Sequence, residues 1–191
     1  KSNKATPVSL NSTAPLAARM RPQVLADYVG QQHLVGQESV LRRAIEAGNI
    51  PSMIFWGPPG VGKTTLATII SETLDRPFYS LSAINSGVKD IREVLDKARQ
   101  RGGLFTAKNP ILFIDEIHTM VSAGDAEGGL NFNNILKPYL ANGSVQLIGT
   151  TTFSELRYIN NDKALKRRFE IINVKELSKP ETVNILKNIK G

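Results

Sequence analysis

Gly57-Pro58-Pro59-Gly60-Val61-Gly62-Lys63-Thr64 decides the reading of this chain: two glycines bracket four residues, and Lys and Thr follow. This is the spacing of a phosphate loop. The glycines let successive N–H groups turn into one concavity, where phosphate oxygens meet no Cβ atoms. Lys63 would reach the β- and γ-phosphates, and the Thr64 hydroxyl would ligate magnesium. The flanks agree. Met53-Ile54-Phe55-Trp56 is an apolar run of strand length. A helix expected over 65–74, opening at Thr65, places Leu66, Ile69, Ile70 and Leu74 on one face. Its N-terminus adds positive dipole at the phosphates. The alternative is a Gly/Pro turn that merely carries a lysine, and the strand and helix weigh against it.

Bound ATP needs magnesium and an activated water, so acids should follow downstream. Ile111-Leu112-Phe113-Ile114-Asp115-Glu116 supplies them: four apolar residues, as in a strand buried on both faces, ending in two carboxylates. Asp115 would hold the magnesium shell, and Glu116 would act as general base on the attacking water. An exposed acidic turn explains one such carboxylate more readily than two beside a phosphate loop. The expected activity is ATP hydrolysis, with ATP or ADP and Mg²⁺ as ligands.

At 191 residues the chain suits one α/β domain. No apolar run approaches the ~20 residues of a membrane span and no signal peptide is visible, so a cytoplasmic setting without a membrane partner is expected. The absence of cysteine excludes disulfides, thiolate metal sites and a cysteine nucleophile. A net charge of +7 suits an acidic partner such as DNA. The charge is thinly spread, however, and solvated surface is the leading reading for most of it.

Along the chain, residues 1–14 are polar and read as a flexible arm. Helices are expected over 37–47, 87–100, 132–140 and 164–169. Strands are expected over 77–81, 145–149 and 170–174, with a polar glycine-rich loop over 122–129. Strands alternating with helices give a doubly wound parallel sheet with ligands at the carboxyl ends of the strands. Thr152 would lie at such an end, either orienting the water and sensing the γ-phosphate or simply capping the strand. Arg167 and Arg168 either reach a neighbouring subunit's phosphate or form an exposed basic helix end.

With these elements placed, the chain resembles an AAA+ ATPase over nearly its whole length, though not one group throughout. From residue 15 to about 118 it is similar to the RarA/MgsA group, the bacterial relatives of the Werner-helicase-interacting ATPases. That likeness rests on "PLAARMRP", "YVGQQHLVG", "RAIEAGNIPSMIFWGPPGVGKTTLA", "LSAINSGVKDIREV" and "GGLFTAKNPILFIDEIH". From about 119 it resembles the first ATPase module of Clp unfoldases, through "TMVSAGDAEGG", "NILKPYLANGSVQLIGTTTFSELRY" and "KALKRRFEIINV". Such a seam implies a chimera, engineered or recombined, with an unfamiliar natural branch as the alternative.

The resemblance implies an AAA+ α/β/α sandwich with a five-stranded parallel sheet in the order 5-1-4-3-2. A large subdomain would occupy 15–175, and 176–191 would begin a helical lid that is otherwise missing. The adenine would be contacted by Val29 and Gly30, with Ile50 and Pro51 nearby. Gly57 through Thr65 and Asp115 would hold nucleotide and metal, Thr152 would be the sensor, and Arg167 or Arg168 would act in trans within a ring of like subunits. The target would be DNA at replication forks by the first likeness, or a protein substrate by the second. Neither group's target-gripping stretch is complete: the Clp "KYRGE" loop and the RarA "RFNKSQQD" continuation are both absent. With so little of the lid, weak nucleotide binding and slow hydrolysis are expected.

Overall fold

The structure, a computed structural model, describes residues 21–101, 109–123 and 132–190. The expected arm at 1–14, the lead-in at 15–20 and the greater part of the glycine-rich loop lie outside the described residues. Five strands form one sheet: β1 (Met53–Trp56), β2 (Phe78–Ser82), β3 (Ile111–Asp115), β4 (Gln146–Thr151) and β5 (Glu170–Asn173). All neighbours run parallel, in the order β2-β3-β4-β1-β5, which is the expected order read from the other edge.

Parallel strands joined by crossovers are covered on both faces, and the side chains sort accordingly. Met53, Phe55, Ile111, Phe113 and Ile148 point into one buried cluster, with Leu66, Ile69 and Ile70 of α3 (Lys63–Thr73). Ile54, Leu112, Ile114 and Leu147 point into the other, with Ile91 and Leu95 of α4 (Val88–Arg101) and Leu136 of α6 (Phe132–Ala141). The result is an α/β/α sandwich with all strands delivering their carboxyl ends to one edge.

The remaining helices are short: α1 (Gln32–Val35), α2 (Val40–Glu46), α5 (His118–Ala123), α7 (Leu156–Asn161) and α8 (Lys163–Lys166), before the longer α9 (Lys179–Lys190). Local capping sets several boundaries that apolar spacing leaves open. Ser39 Oγ accepts the Arg42 N–H at 3.1 Å, so α2 begins at 40 rather than 37. Asp162 Oδ1 accepts from the N–H groups of Ala164 and Leu165, which starts α8 at 163. Ser178 and Glu181 form a reciprocal cap at the head of α9: the Ser178 N–H and hydroxyl donate to Glu181 Oε2 at 2.7 and 2.6 Å. None of the helices among the described residues is long and apolar enough to cross a membrane.

Phe113 fixes the centre of one face. It is 1% exposed and stacks on Phe78 with ring centroids 5.8 Å apart. Phe113→Ala should cost about 3–5 kcal/mol of unfolding free energy, read as a lower urea midpoint at unchanged m-value, whereas Phe113→Leu should cost much less.

Candidate active site

The loop between β1 and α3 leaves the sheet where three strand ends meet. The Gly57 N–H donates to the Thr151 carbonyl at 3.3 Å, and a Cβ on Gly57 would lie 2.1 Å from the Val174 carbonyl oxygen. Only glycine fits between those ends. Gly60 and Gly62 take φ of 80° and 94°, which L side chains rarely adopt. Space around Gly60 is open, with nothing within 4 Å of an added Cβ. Beyond them, α3 presents N–H groups that have no partner within the helix. Pro58 and Pro59 are exposed, while Val61, Thr64 and Thr65 are half-buried.

Lys63 is 8% exposed, and its ammonium donates to the carbonyls of Gly57 and Pro58 at 2.8 and 2.7 Å. Burial lowers its pKa from the usual lysine value, while the charges of Glu116 and Asp115 act to raise it. The acids therefore share an electrostatic site with the loop lysine. Asp115 ends β3. Its Oδ1 accepts the hydroxyl proton of Thr150, which is wholly buried on β4. Glu116 has already left the strand, with a left-handed φ of 54°. Its N–H donates to Thr150 Oγ1 at 3.1 Å, and the next N–H, from Ile117, donates to the Thr150 carbonyl at 3.0 Å. The Glu116 carboxylate lies 3.5 Å from His118 Nδ1, and that nitrogen is 3.1 Å from Thr151 Oγ1.

A turn from the start of the chain closes over the loop. Tyr28 is buried, and its hydroxyl donates to the Gly62 carbonyl at 3.3 Å. Gln31, at φ 56°, uses both ends of its amide on the backbone of Lys175, donating to its carbonyl and accepting from its N–H. A Cβ on Gly30 would meet Leu177 Cδ2 at 2.3 Å. Val29 and Gly30 thus sit between the phosphate loop and the segment leading to α9. Ile50, at 1% exposure, belongs to the core, and Pro51 is exposed.

Thr152 is half-buried and pairs with Ser154 Oγ at 3.1 Å; the hydroxyls engaging Asp115, Glu116 and His118 belong to Thr150 and Thr151. The strand runs on through both, two residues beyond its expected end at 149, and it is buried on both faces, so no alternation in the sequence marks which threonine does what. Arg167 and Arg168 are exposed, and Arg168 donates to the Ala164 carbonyl of α8 at 3.0 Å. Among the described residues no three His, Cys, Asp or Glu side chains gather to hold a metal. A magnesium ion carried by phosphates takes one or two carboxylates and keeps its waters. Asp115 and Thr64 are the residues suited to it.

A model of the ATPase family associated with various cellular activities (AAA) matches residues 53–177. The chain belongs to the AAA family. Over 177 residues, 92% of its length, this AAA chain is 42% identical to "Replication-associated recombination protein A" of Haemophilus influenzae, of which it spans 37%. It is also 37% identical over 182 aligned residues to "Negative regulator of genetic competence ClpC/MecB" of Bacillus subtilis, covering 82% of this chain and 22% of that one. A Thermotoga maritima structure titled "RuvB Holliday junction branch migration motor" superposes with a TM-score of 0.64 at 25% identity, over 88% of this chain and 53% of that one.

Burial pushes the Tyr28 hydroxyl up to about 12. Above pH 10 the unfolded chain loses this proton while the folded one keeps it, so the AAA domain should lose roughly 1–3 kcal/mol of stability between pH 10 and 12. Tyr28→Phe should flatten that slope in unfolding curves taken across this range.

Proposed function

We propose that this chain is the nucleotide-binding motor domain of a RarA-type ATPase, hydrolysing ATP in the service of DNA replication and recombination. The convergence of a buried Lys63 with Asp115 and Glu116 at the open phosphate loop supports the chemistry. The 42% identity to a replication-associated recombination protein across 92% of the chain supports the setting. The net charge of +7 is in keeping with a polyanionic target.

In this reading the loop amides from Gly57 to Thr65 and the Lys63 ammonium bind the β- and γ-phosphates. Lys63 exchanges its two carbonyl partners for phosphate oxygens. Asp115 and Thr64 hold magnesium, which neutralises charge on the phosphates when bound. Glu116, turned out of the strand, accepts a proton from the attacking water while Thr150 keeps its backbone in place. Thr152 remains the candidate for sensing the γ-phosphate from the strand end. Val29 and Gly30 border the adenine, with Ile50 supporting them from the core and Pro51 at the surface. Arg167 and Arg168, being exposed, are available to a neighbouring subunit's nucleotide in a ring.

A second reading, a Clp-type module acting on protein, is favoured by the ClpC/MecB match and by the Clp-like motifs after 118. A chimera of the two lineages would account for both likenesses. Salt-sensitive binding of single-stranded and forked DNA supports the first reading, and ATP-dependent unfolding of a tagged protein supports the second.

Lys63→Ala should weaken ATP binding at least tenfold, about 1.4 kcal/mol or more. Glu116→Gln should retain ATP and magnesium while turnover falls by about 10²-fold or more. Equilibrium binding and phosphate-release assays check both. Turnover surviving in Glu116→Gln would remove the general-base assignment.

A further inference from the structure

We propose that His118 is a positioning residue for Glu116, linking the carboxylate to the phosphate loop through Thr151; this rests on the hydrolase reading above. His118 opens α5, and its side chain is 16% exposed while that of Glu116 is 33% exposed. The acid can therefore meet water, whereas the imidazole is the more shielded of the two. Its Nδ1 faces two partners, Thr151 Oγ1 at 3.1 Å and Glu116 Oε2 at 3.5 Å.

A ring nitrogen holds at most one hydrogen, so Nδ1 serves these partners in different ways. Carrying its proton, it donates to the Glu116 carboxylate or to the threonine oxygen. Bare, it accepts the Thr151 hydroxyl proton and offers the carboxylate nothing. Thr151 is wholly buried, and its carbonyl accepts the N–H of Gly57, the first residue of the phosphate loop. Nδ1 is thus the junction between the loop and strand end on one side and the carboxylate on the other, and only its protonated form, with the proton shared, reaches both. The backbone of Glu116 is fixed by Thr150 on its own N–H and on the next one, which leaves the side-chain torsions as its free variable. His118 is the neighbour placed to set them. A carboxylate aimed by a half-buried donor reaches its water in one orientation, whereas an unaimed one samples several rotamers, and proton transfer suffers without any change in how phosphates are held.

The test separates this role from packing and from the hydrolase reading itself. His118→Ala should lower kcat about tenfold, a part of the 10²–10⁴-fold expected of a general base, with the Kd for ATP changed less than twofold. His118→Asn places an amide donor near Nδ1 and should recover part of kcat. Wild-type kcat in His118→Ala overturns the proposal, as does a loss of ATP affinity matching the loss of turnover. A second readout needs no turnover. The chain has two histidines, so in the nucleotide-free protein the ring ¹⁵N signals of His118 can be followed with His33 as internal reference. Glu116→Gln and Thr151→Val should each move the His118 Nδ1 signal and leave His33 in place. Insensitivity to Glu116→Gln overturns the proposal even if the wild-type chain turns over no ATP, a result that would sink the hydrolase reading separately.

Discussion

The hydroxyl of Thr150 is the contact on which the site depends. It has one proton to give, and gives it to Asp115, so its lone pairs remain for the Glu116 N–H. Thr150 itself is wholly buried, so leaving its hydroxyl unpaired would cost about 1–3 kcal/mol. Left-handed backbone at Glu116 costs an L-residue roughly 1–2 kcal/mol, and the paired N–H helps offset that. The consequence is a division of labour between adjacent acids. Asp115 stays pinned at the strand end, and Glu116 turns outward to where water can reach it. Valine in place of Thr150 would keep the shape and lose both bonds.

Lys63 presents the complementary problem. Its ammonium is buried against two neutral carbonyls rather than in an ion pair, and the nearby acids act on it through space. A desolvated cation with such partners is costly, which is the sense of its lowered pKa. An anionic ligand would relieve this cost, because its oxygens would bring full negative charge where the carbonyls bring only dipoles. The loop therefore favours an anion over a neutral group at the Lys63 ammonium.

Much of this was legible because each signal was local and physical. The glycine spacing, the apolar run ending in two acids and the period-3.6 helices map directly onto β1, β3, α3 and α4. Short elements escaped, since α1, α5 and α7 span one or two turns and carry little periodicity of their own. The division of roles among Thr150, Thr151 and Thr152 could not be read either. Three identical residues in a row differ only in which way the strand points them and where it stops. Gln31 is a similar case: its amide meets Lys175 across 144 residues, and a polar side chain after a turn glycine gives no hint of that.

The stretches before and after residue 118, which differ in the likeness their motifs suggest, are not two modules in space. β1 belongs to the first half, yet its neighbours on either side are β4 and β5 of the second. Hydrogen-bond ladders between parallel strands are made by backbone and tolerate almost any sequence, so they would accept parts from either lineage. Side-chain fit is less forgiving. Gly149 of β4 leaves room that Ile54 of β1 and Ile117 both fill, and a Cβ there would come within 2.8 and 2.9 Å of their Cδ1 atoms. The Gln31–Lys175 pairing and the approach of Gly30 to Leu177 likewise join residues from opposite ends of the chain. The same contacts carry the turn at 28–31 onto Gly62 through Tyr28. A chain with mismatched halves would lose its fit first at those positions, and of these the turn at 28–31 touches the phosphate loop directly through Tyr28. The fit of the loop's surroundings and the packing of the first half on the second therefore share the contacts of Tyr28, Gly30 and Gln31.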